Sequence, residues 1–278
     1  MTKAYTLLEK LLFPPTLINT IKLEKELQGK NIIITGASSG IGEQLAVLLG
    51  EIDCHLILVA RRKERLLQLQ KQIKRAKISV FAGDLRDKVE MHHLISYIRT
   101  LDGKLDIIVN NAGISISRSI FDSLDRLHDF KRTMAINYFA PVELLLATIP
   151  ILEGSHGQII NISTINTLLT PFPKFSAYQA SKQAFDVWFQ SVAPELNSKG
   201  IRTTSIYLPL VRTPMIEPTK KYINAPAMSP LHVAKIISKT MYTERKRFKP
   251  WWIIFGQVSS LLFRSVWERT SKVNIKKR

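Results

Sequence analysis

The sequence predicts an α/β fold, a single domain built on a doubly wound parallel sheet with helices on both faces. Short apolar runs of strand length recur between helical patterns, and such alternation buries a parallel sheet between two helical layers. The first of these runs passes directly into a glycine-rich turn and then an amphipathic stretch, the strand, turn and helix order of an anion-binding loop. A chain of 278 residues with 45% hydrophobic residues and only 12 Gly and 13 Pro is long enough for a full core and too apolar to be largely disordered.

Taken in order, the first element is the run Tyr5 to Ile21, with Leu7, Leu8, Leu11, Leu12 and Phe13, which Glu9 and Lys10 interrupt too early for a cleaved signal peptide. The strands expected are Ile32 to Thr35, His55 to Ala60, Ile78 to Ala82, Asp106 to Asn110, Gln158 to Ser163 and Arg202 to Tyr207. After the first comes Gly36-Ala37-Ser38-Ser39-Gly40-Ile41-Gly42 and an amphipathic helix from Glu43 to Leu49. Glycines there let the backbone turn tightly and approach a pyrophosphate, whose charge the helix N-terminus attracts. The spacing Gly-x-x-x-Gly-x-Gly departs from the general Gly-x-Gly-x-x-Gly fingerprint.

Further along, Tyr178 and Lys182 stand four residues apart in Ser176-Ala177-Tyr178-Gln179-Ala180-Ser181-Lys182, on one face of a helix. A phenol titrates near ~10, and an adjacent ammonium favours phenolate, so the pair has the makings of a general acid and base. The single cysteine, Cys54, has no partner for an internal disulfide, and the six histidines lack metal-binding spacing, so no metal site is expected.

These motifs resemble the short-chain dehydrogenase/reductase family from about Gly29 to Tyr242: Thr35 to Gly42 its cofactor turn, Asn110-Asn111-Ala112-Gly113 its strand-four motif, and Tyr178 with Lys182 its active-site pair. The resemblance implies a Rossmann-type sheet at residues 29–243, with an amphipathic amino-terminal extension at 1–28 and a basic aromatic extension at 244–278. It implies a cofactor held by Gly36, Ser38, Ser39, Gly40, Ile41 and Gly42. The second strand runs into Arg61-Arg62-Lys63 without a carboxylate before Glu64. An arginine there accommodates a 2′-phosphate, so NADP(H) is preferred over NAD(H), with Arg61 the first contact and Arg62 its neighbour. By the same resemblance Asp84 and Leu85 border the adenine. Asn111, Ala112 and Gly113 line the cofactor, and Asn110 is structural as well as adjacent to it.

For the chemistry, the resemblance makes Tyr178 the proton donor and acceptor on the substrate oxygen. Lys182 then lowers the tyrosine's pKa and holds the ribose, and Asn137 positions a water for proton relay. Two positions depart from the family pattern. The substrate-polarising serine usually lies thirteen residues before the tyrosine, where this chain has Ile165; counting from the strand start instead selects Thr164, with Ser163 as the alternative. Only one of these two neighbours faces the substrate on a regular strand, and Thr164 is favoured. After the sixth strand, Pro209-Leu210-Val211-Arg212-Thr213-Pro214 replaces the family's Pro-Gly. Pro209, Val211 and Thr213 remain expected cofactor contacts, and Met215 to Pro230 reads as a substrate lid.

With 40 Lys and Arg against 22 Asp and Glu, the chain suits an anionic surface or substrate; nucleic acid is disfavoured because no recognised module appears. In the carboxyl-terminal run Trp251, Ile254, Phe255, Val258 and Leu262 share a helical face between basic segments. The run is too short to span a bilayer. It reads either as an interfacial helix on a membrane or as the last strand, from Phe248 to Phe255, with the remainder packed on the protein. The function expected is an NADP(H)-dependent oxidoreductase, interconverting a ketone and a secondary alcohol on a small lipophilic substrate. It is expected to be cytoplasmic or peripheral at a membrane, and a homodimer or tetramer through faces bearing Leu144, Leu145, Ile149, Phe185, Trp188 and Phe189. The alternative is a dinucleotide sensor or scaffold with little turnover.

Overall fold

Successive isoleucines of the first strand, β1 (Asn31–Thr35), part to opposite sides: Ile32 and Ile34 enter one buried cluster and Ile33 another, as a two-residue period requires. In β2 (His55–Ala60) Leu56 and Leu58 part from Ile57 and Val59 in the same way, and the whole strand is buried. Burial on both faces is the mark of a parallel sheet between helices. In the computed structural model, which describes residues 4–101, 104–217, 222 and 224–262, the sheet continues with β3 (Lys77–Ala82), β4 (Ile107–Asn110), β5 (Gln158–Thr164), β6 (Arg202–Leu208) and β7 (Arg247–Phe248). Every pairing is parallel and the order is β3-β2-β1-β4-β5-β6-β7.

Chain ends apart, the helices sort by face. On one side α2 (Thr20–Leu27), α3 (Gly40–Leu49), α4 (Lys63–Gln72) and α9 (Pro230–Met241) bury Leu27, Leu45, Leu66 and Ile237. On the other, α5 (Lys88–Arg99), α7 (Ala140–Ser155) and α8 (Ser176–Ser198) bury Leu94, Leu145 and Phe189. A short α6 (Leu127–Met134) joins α7 through a π-helical turn, Ala135–Phe139. The combined run Leu127–Ser155 is long and apolar enough to cross a membrane, but Leu144, Leu145 and Leu152 lie in the core as on any sheet-packed helix. Leu144, Leu145, Phe185 and Phe189, expected as core, dimer surface or both, are core residues; Phe139, Leu146 and Val187 are the apolar residues that face outward there.

The described segments toward either end of the chain close onto this body. In α1 (Leu7–Leu12) Thr6 and Glu9 form a capping box. Glu9 is buried, pairs with Arg212 and accepts from the Ala227 N–H at 3.1 Å, and the Tyr5 hydroxyl accepts from the Ser229 N–H at 2.8 Å. The amino-terminal segment is therefore fastened to the loop after β6. At the other end the sheet runs past residue 243, because β7 comes from the segment expected to be an extension. The backbone of β6 reaches it through Ser205 N–H to Lys246 O at 3.0 Å. The strand expected at Phe248 to Phe255 is thus only Arg247–Phe248, and α10 (Ile253–Leu262) follows it.

Candidate active site

The strand order reverses between β1 and β4, and ligands of open α/β sheets bind in the crevice that such a reversal leaves at the carboxyl ends. Here that crevice is bordered by Thr35, Gly36 and Asn111. The Thr35 hydroxyl donates to Val109 O at 3.2 Å, and the Asn111 amide donates to Thr35 O at 2.9 Å and Gly36 O at 3.3 Å, tying β1 to the end of β4. The strand-bridging asparagine is therefore Asn111. Asn110 lies buried with its amide nitrogen unpartnered.

In the turn itself, Gly40 adopts φ +59°, and an added Cβ would lie 2.8 Å from the Thr213 methyl. A Cβ at Gly42 would lie 2.5 Å from Gly36 O, so only glycine lets the turn fold this tightly against the start of α3. Ser39 occupies the N-cap of α3 without making a side-chain cap, so the first-turn N–H groups point into the crevice without a side-chain acceptor, as phosphate binding needs. Thr213 brings the loop after β6 over the same turn. Val211 bridges to Met228, and Leu210 has no positive φ, so leucine in place of the family glycine is accommodated without strain. Part of the expected lid, residues 218–221 and 223, lies outside the described residues; within the rest, Tyr222 stacks on Phe175 at 6.5 Å.

The basic end of β2 divides its two arginines. Arg62 lies on the turn, donating to Ser38 Oγ at 3.0 and 3.1 Å and to Ser38 O at 3.2 Å. Arg61 is largely exposed, with Nη1 4.0 Å from Asp84 Oδ2. The side chain built into the turn is that of Arg62, while Arg61 stays exposed beside the crevice. Arg86 grips both oxygens of Asp84, a guanidinium fork suited to a carboxylate, which holds the Asp84 carboxyl below its usual range. Leu85 is buried beside it.

On α8, Tyr178 and Lys182 share a face, as their spacing requires. Thr164 lies beside the Tyr178 phenol, close enough to lower its pKa against the effect of burial, and Thr164 Oγ1 accepts from Asn166 N–H at 3.3 Å. Ser163 donates instead to the buried carboxylate of Asp186 at 3.4 Å. Strand alternation separates the two candidates and brings Thr164 to the tyrosine. The sequence did not single out Asp186, although it stands four residues beyond Lys182, one further turn along the same face. Burial pushes the Tyr178 phenol up to about 12, against the effect of Thr164. It pushes the Lys182 ammonium down to about 8, against the attraction of Asp186. Lys182 Nζ donates to Ile162 O at 3.0 Å.

Asn137 sits in the π-helical turn, an irregularity common at functional sites. Its oxygen accepts from Ile114 N–H at 3.0 Å, and its amide donates to Ile114 O at 3.0 Å and Ser181 Oγ at 2.9 Å. It thereby clamps the segment after β4 to α8, with the Gly113 backbone close beside it. Asn110, Asn137, Asn161 and Lys182 line a cavity of about 10 Å³, close to the room needed for one water. Neither Asn161 nor Ser181 is apparent as a site residue from sequence spacing, because each reaches the site through strand pairing or helix packing.

The sequence matches the short chain dehydrogenase family over residues 30–224. The chain belongs to the short-chain dehydrogenase/reductase family. As a member it is an oxidoreductase, and its curated relatives carry that description. It is 42% identical over 226 residues, 80% of this chain and 76% of the relative, to a fatty acyl-CoA reductase of Acinetobacter baylyi. It is 37% identical, over 85% of this chain and 82% of the relative, to a fatty acyl-CoA reductase of Mycobacterium tuberculosis. Among solved structures, a short-chain dehydrogenase from Streptomyces avermitilis superposes with a TM-score of 0.74 at 22% identity, covering 90% of this chain and 100% of the other. One from Sphingobium yanoikuyae in complex with NADPH gives 0.73 at 23% identity, covering 87% and 95%. These two establish the likeness of fold.

Proposed function

We propose that this short-chain dehydrogenase/reductase uses NADPH to reduce the carbonyl of a long-chain acyl substrate. The observation that carries the proposal is that Thr164 lies beside the Tyr178 phenol, with Lys182 one turn along the same helix, at the crevice whose turn leaves helix N–H groups for a pyrophosphate. When bound, NADPH supplies the hydride. The turn from Gly36 to Gly42 would hold its pyrophosphate, with Thr213, Val211 and Pro209 closing from the loop after β6. Ser38 with Arg62 and Arg61 would meet the 2′-phosphate, a group that NADH lacks.

A carbonyl oxygen seated between Thr164 and Tyr178 would accept a hydrogen bond from each hydroxyl. Thr164 polarises it, and Tyr178 transfers a proton to it as the carbon accepts the hydride. A phenol held up near 12 is protonated at neutral pH, which suits reduction. Lys182 brings positive charge to Tyr178, and the cavity beside Asn137 has room for the water that would return a proton toward Lys182.

The named relatives direct the choice of carbonyl to a fatty acyl-CoA thioester. In that case the C–S bond of the reduced adduct breaks, and thiol and aldehyde leave. The second reading, a ketone reduced to a secondary alcohol, is supported by the same pair of hydroxyls, which polarises either carbonyl. A panel of palmitoyl-CoA, a long-chain ketone and a short ketone, followed by NADPH oxidation and product analysis, decides between them. Aldehyde from the thioester supports the first reading and secondary alcohol the second. Cofactor binding without oxidation on any of them leaves a dinucleotide sensor. We also propose that the outward-facing Phe139, Leu146 and Val187 of the π-turn, α7 and α8 meet a second copy of the chain, and a clean monomer by light scattering contradicts this.

A further inference from the structure

The helix α10 covers only one of its sides. Ile253 is fully buried, Gly256 lies against Leu169, and the Ser260 carbonyl accepts from Thr170 Oγ1 at 3.4 Å, so one side closes on the segment after β5. The opposite side presents Ile254, Phe255, Val258 and Leu262, with Phe255 68% exposed. A helix on a water-facing surface places polar residues there, and a contiguous exposed apolar patch marks an interaction surface.

Trp251 extends this patch to the other end of the chain. Its ring meets Phe255 edge-on at 6.3 Å, and its indole N–H donates to Leu11 O of α1 at 3.2 Å. Helix α1 in turn points Leu7, Leu8 and Leu11 outward, with Leu7 86% exposed. Two segments from opposite ends of the chain thus form one apolar surface with Trp251 at the joint.

The surroundings are basic. Lys10, Arg245, Lys246, Arg247 and Lys249 are exposed, and Lys249 Nζ donates to Gln257 Oε1 on the flank of α10 at 3.2 Å. The sequence beyond Leu262 adds Arg264, Arg269, Lys272, Lys276, Lys277 and Arg278 against Glu268 alone. Near the joint lies a cavity of about 260 Å³, whose lining combines Phe13, Met228 and Phe248 with Arg245 and Lys249, a mixture that suits an amphipathic molecule.

We propose that the joined α1 and α10 face docks this enzyme on an anionic lipid surface. An apolar face with a basic rim fits the boundary between headgroups and acyl chains, with tryptophan at headgroup depth. A second copy seated there would bring the same basic rim against itself, a costly juxtaposition of like charges. Both elements also border the substrate side: α10 lies on Leu169 and Thr170, just beyond Thr164, and α1 is fastened through Glu9 and Arg212 to the loop after β6. Docking therefore sets the mouth of the active site at the lipid. That consequence for substrate delivery rests on the reading of a lipophilic acyl substrate, whereas the docking itself does not.

The test is co-sedimentation of the full chain with vesicles of phosphatidylcholine alone or with phosphatidylglycerol. Expected is binding to the anionic vesicles that weakens with salt and falls by about tenfold or more in the triple variant Phe255→Ser, Val258→Ser, Leu262→Ser. Circular dichroism and turnover of a short soluble substrate check that the variant is folded. Quenching of Trp251 fluorescence by brominated lipid, lost in Trp251→Phe, gives the same answer without the triple variant. Docking is overturned by absence of binding to anionic vesicles, by binding that the triple variant leaves intact, or by a loss of self-association in the variant without vesicle binding by the parent. No turnover of any acyl substrate, with vesicle binding intact, removes the reductase reading and leaves the docking face standing.

Discussion

Helices α8 and α10 both carry aromatic residues, and they dispose of them in opposite ways. In α8, Phe185 and Phe189 stack at 5.9 Å inside the core, while Tyr178 and Lys182 on the same helix face the crevice. Among the described side chains of α10 only Ile253 is fully buried, and Phe255 stands in solvent. The comparison teaches that apolar content alone does not place a helix inside. Helix α8 lies on a buried sheet face and must fill it, whereas α10 begins beyond the edge strand β7, where the sheet has no further face to cover. An apolar residue retained at such a place serves a surface, and one on α8 serves rigidity around the chemistry.

The sharpest way to break this comparison is one substitution on each helix. Phe189→Ala should cost about 3–5 kcal/mol, the usual loss for a buried aromatic. Phe255→Ala should stay within about 0.5 kcal/mol, as for surface changes. Urea unfolding of both variants checks it, and equal losses would mean that Phe255 is covered in solution. Next in size is Tyr178→Phe, which keeps the ring on α8 but removes the transferable proton. The rate of reduction should fall by roughly 10² or more while cofactor affinity holds, and near-normal turnover removes Tyr178 from the chemistry.

Smaller effects sharpen the picture at the ends of β5 and β2. Thr164→Ala should lower turnover about tenfold or more, because the substrate oxygen would be left with Tyr178 alone. Ser163→Ala, directed at Asp186, should act mainly on stability; the reverse order of rates would reassign the role. Arg62→Ala should weaken NADPH binding more than NADH binding, and more than Arg61→Ala does, since Arg62 is the one held on Ser38. Equal weakening of both cofactors removes Arg62 as the selector. The smallest effect is with pH. Burial lowers Lys182 to about 8, so its positive charge is present below that value and lost above it. The free enzyme's kcat/KM should decline through an alkaline limb near pH 8, and a flat profile to pH 10 would show that the charge is not used.

Much was legible in the sequence because it depends on local rules. The period-two burial of Ile32, Ile33 and Ile34, the glycines at 40 and 42 and the one-face spacing of Tyr178 and Lys182 are written in neighbouring residues, and the structure keeps them all. The sheet, its strands and the crevice follow from these. What the sequence left open was decided by neighbours distant in the chain. Thr164 is separated from Ser163 by the side of β5 that α8 happens to cover. Asn111 rather than Asn110 bridges the strands because its amide reaches Thr35 O. Arg62 rather than Arg61 grips the turn because Ser38 lies within reach. Even the state of Tyr178 belongs here, since a phenol held up near 12 reflects the protein packed around it. The sequence by itself determined the fold class, the place of the glycine turn and the one-face spacing of Tyr178 and Lys182, since backbone freedom and side-chain period act over a few residues. Only the tertiary structure decided which of two adjacent hydroxyls, amides or guanidiniums enters the site, and that the described segments toward either end of the chain meet at Trp251, because hydrogen bonds and burial join residues that the chain itself keeps far apart.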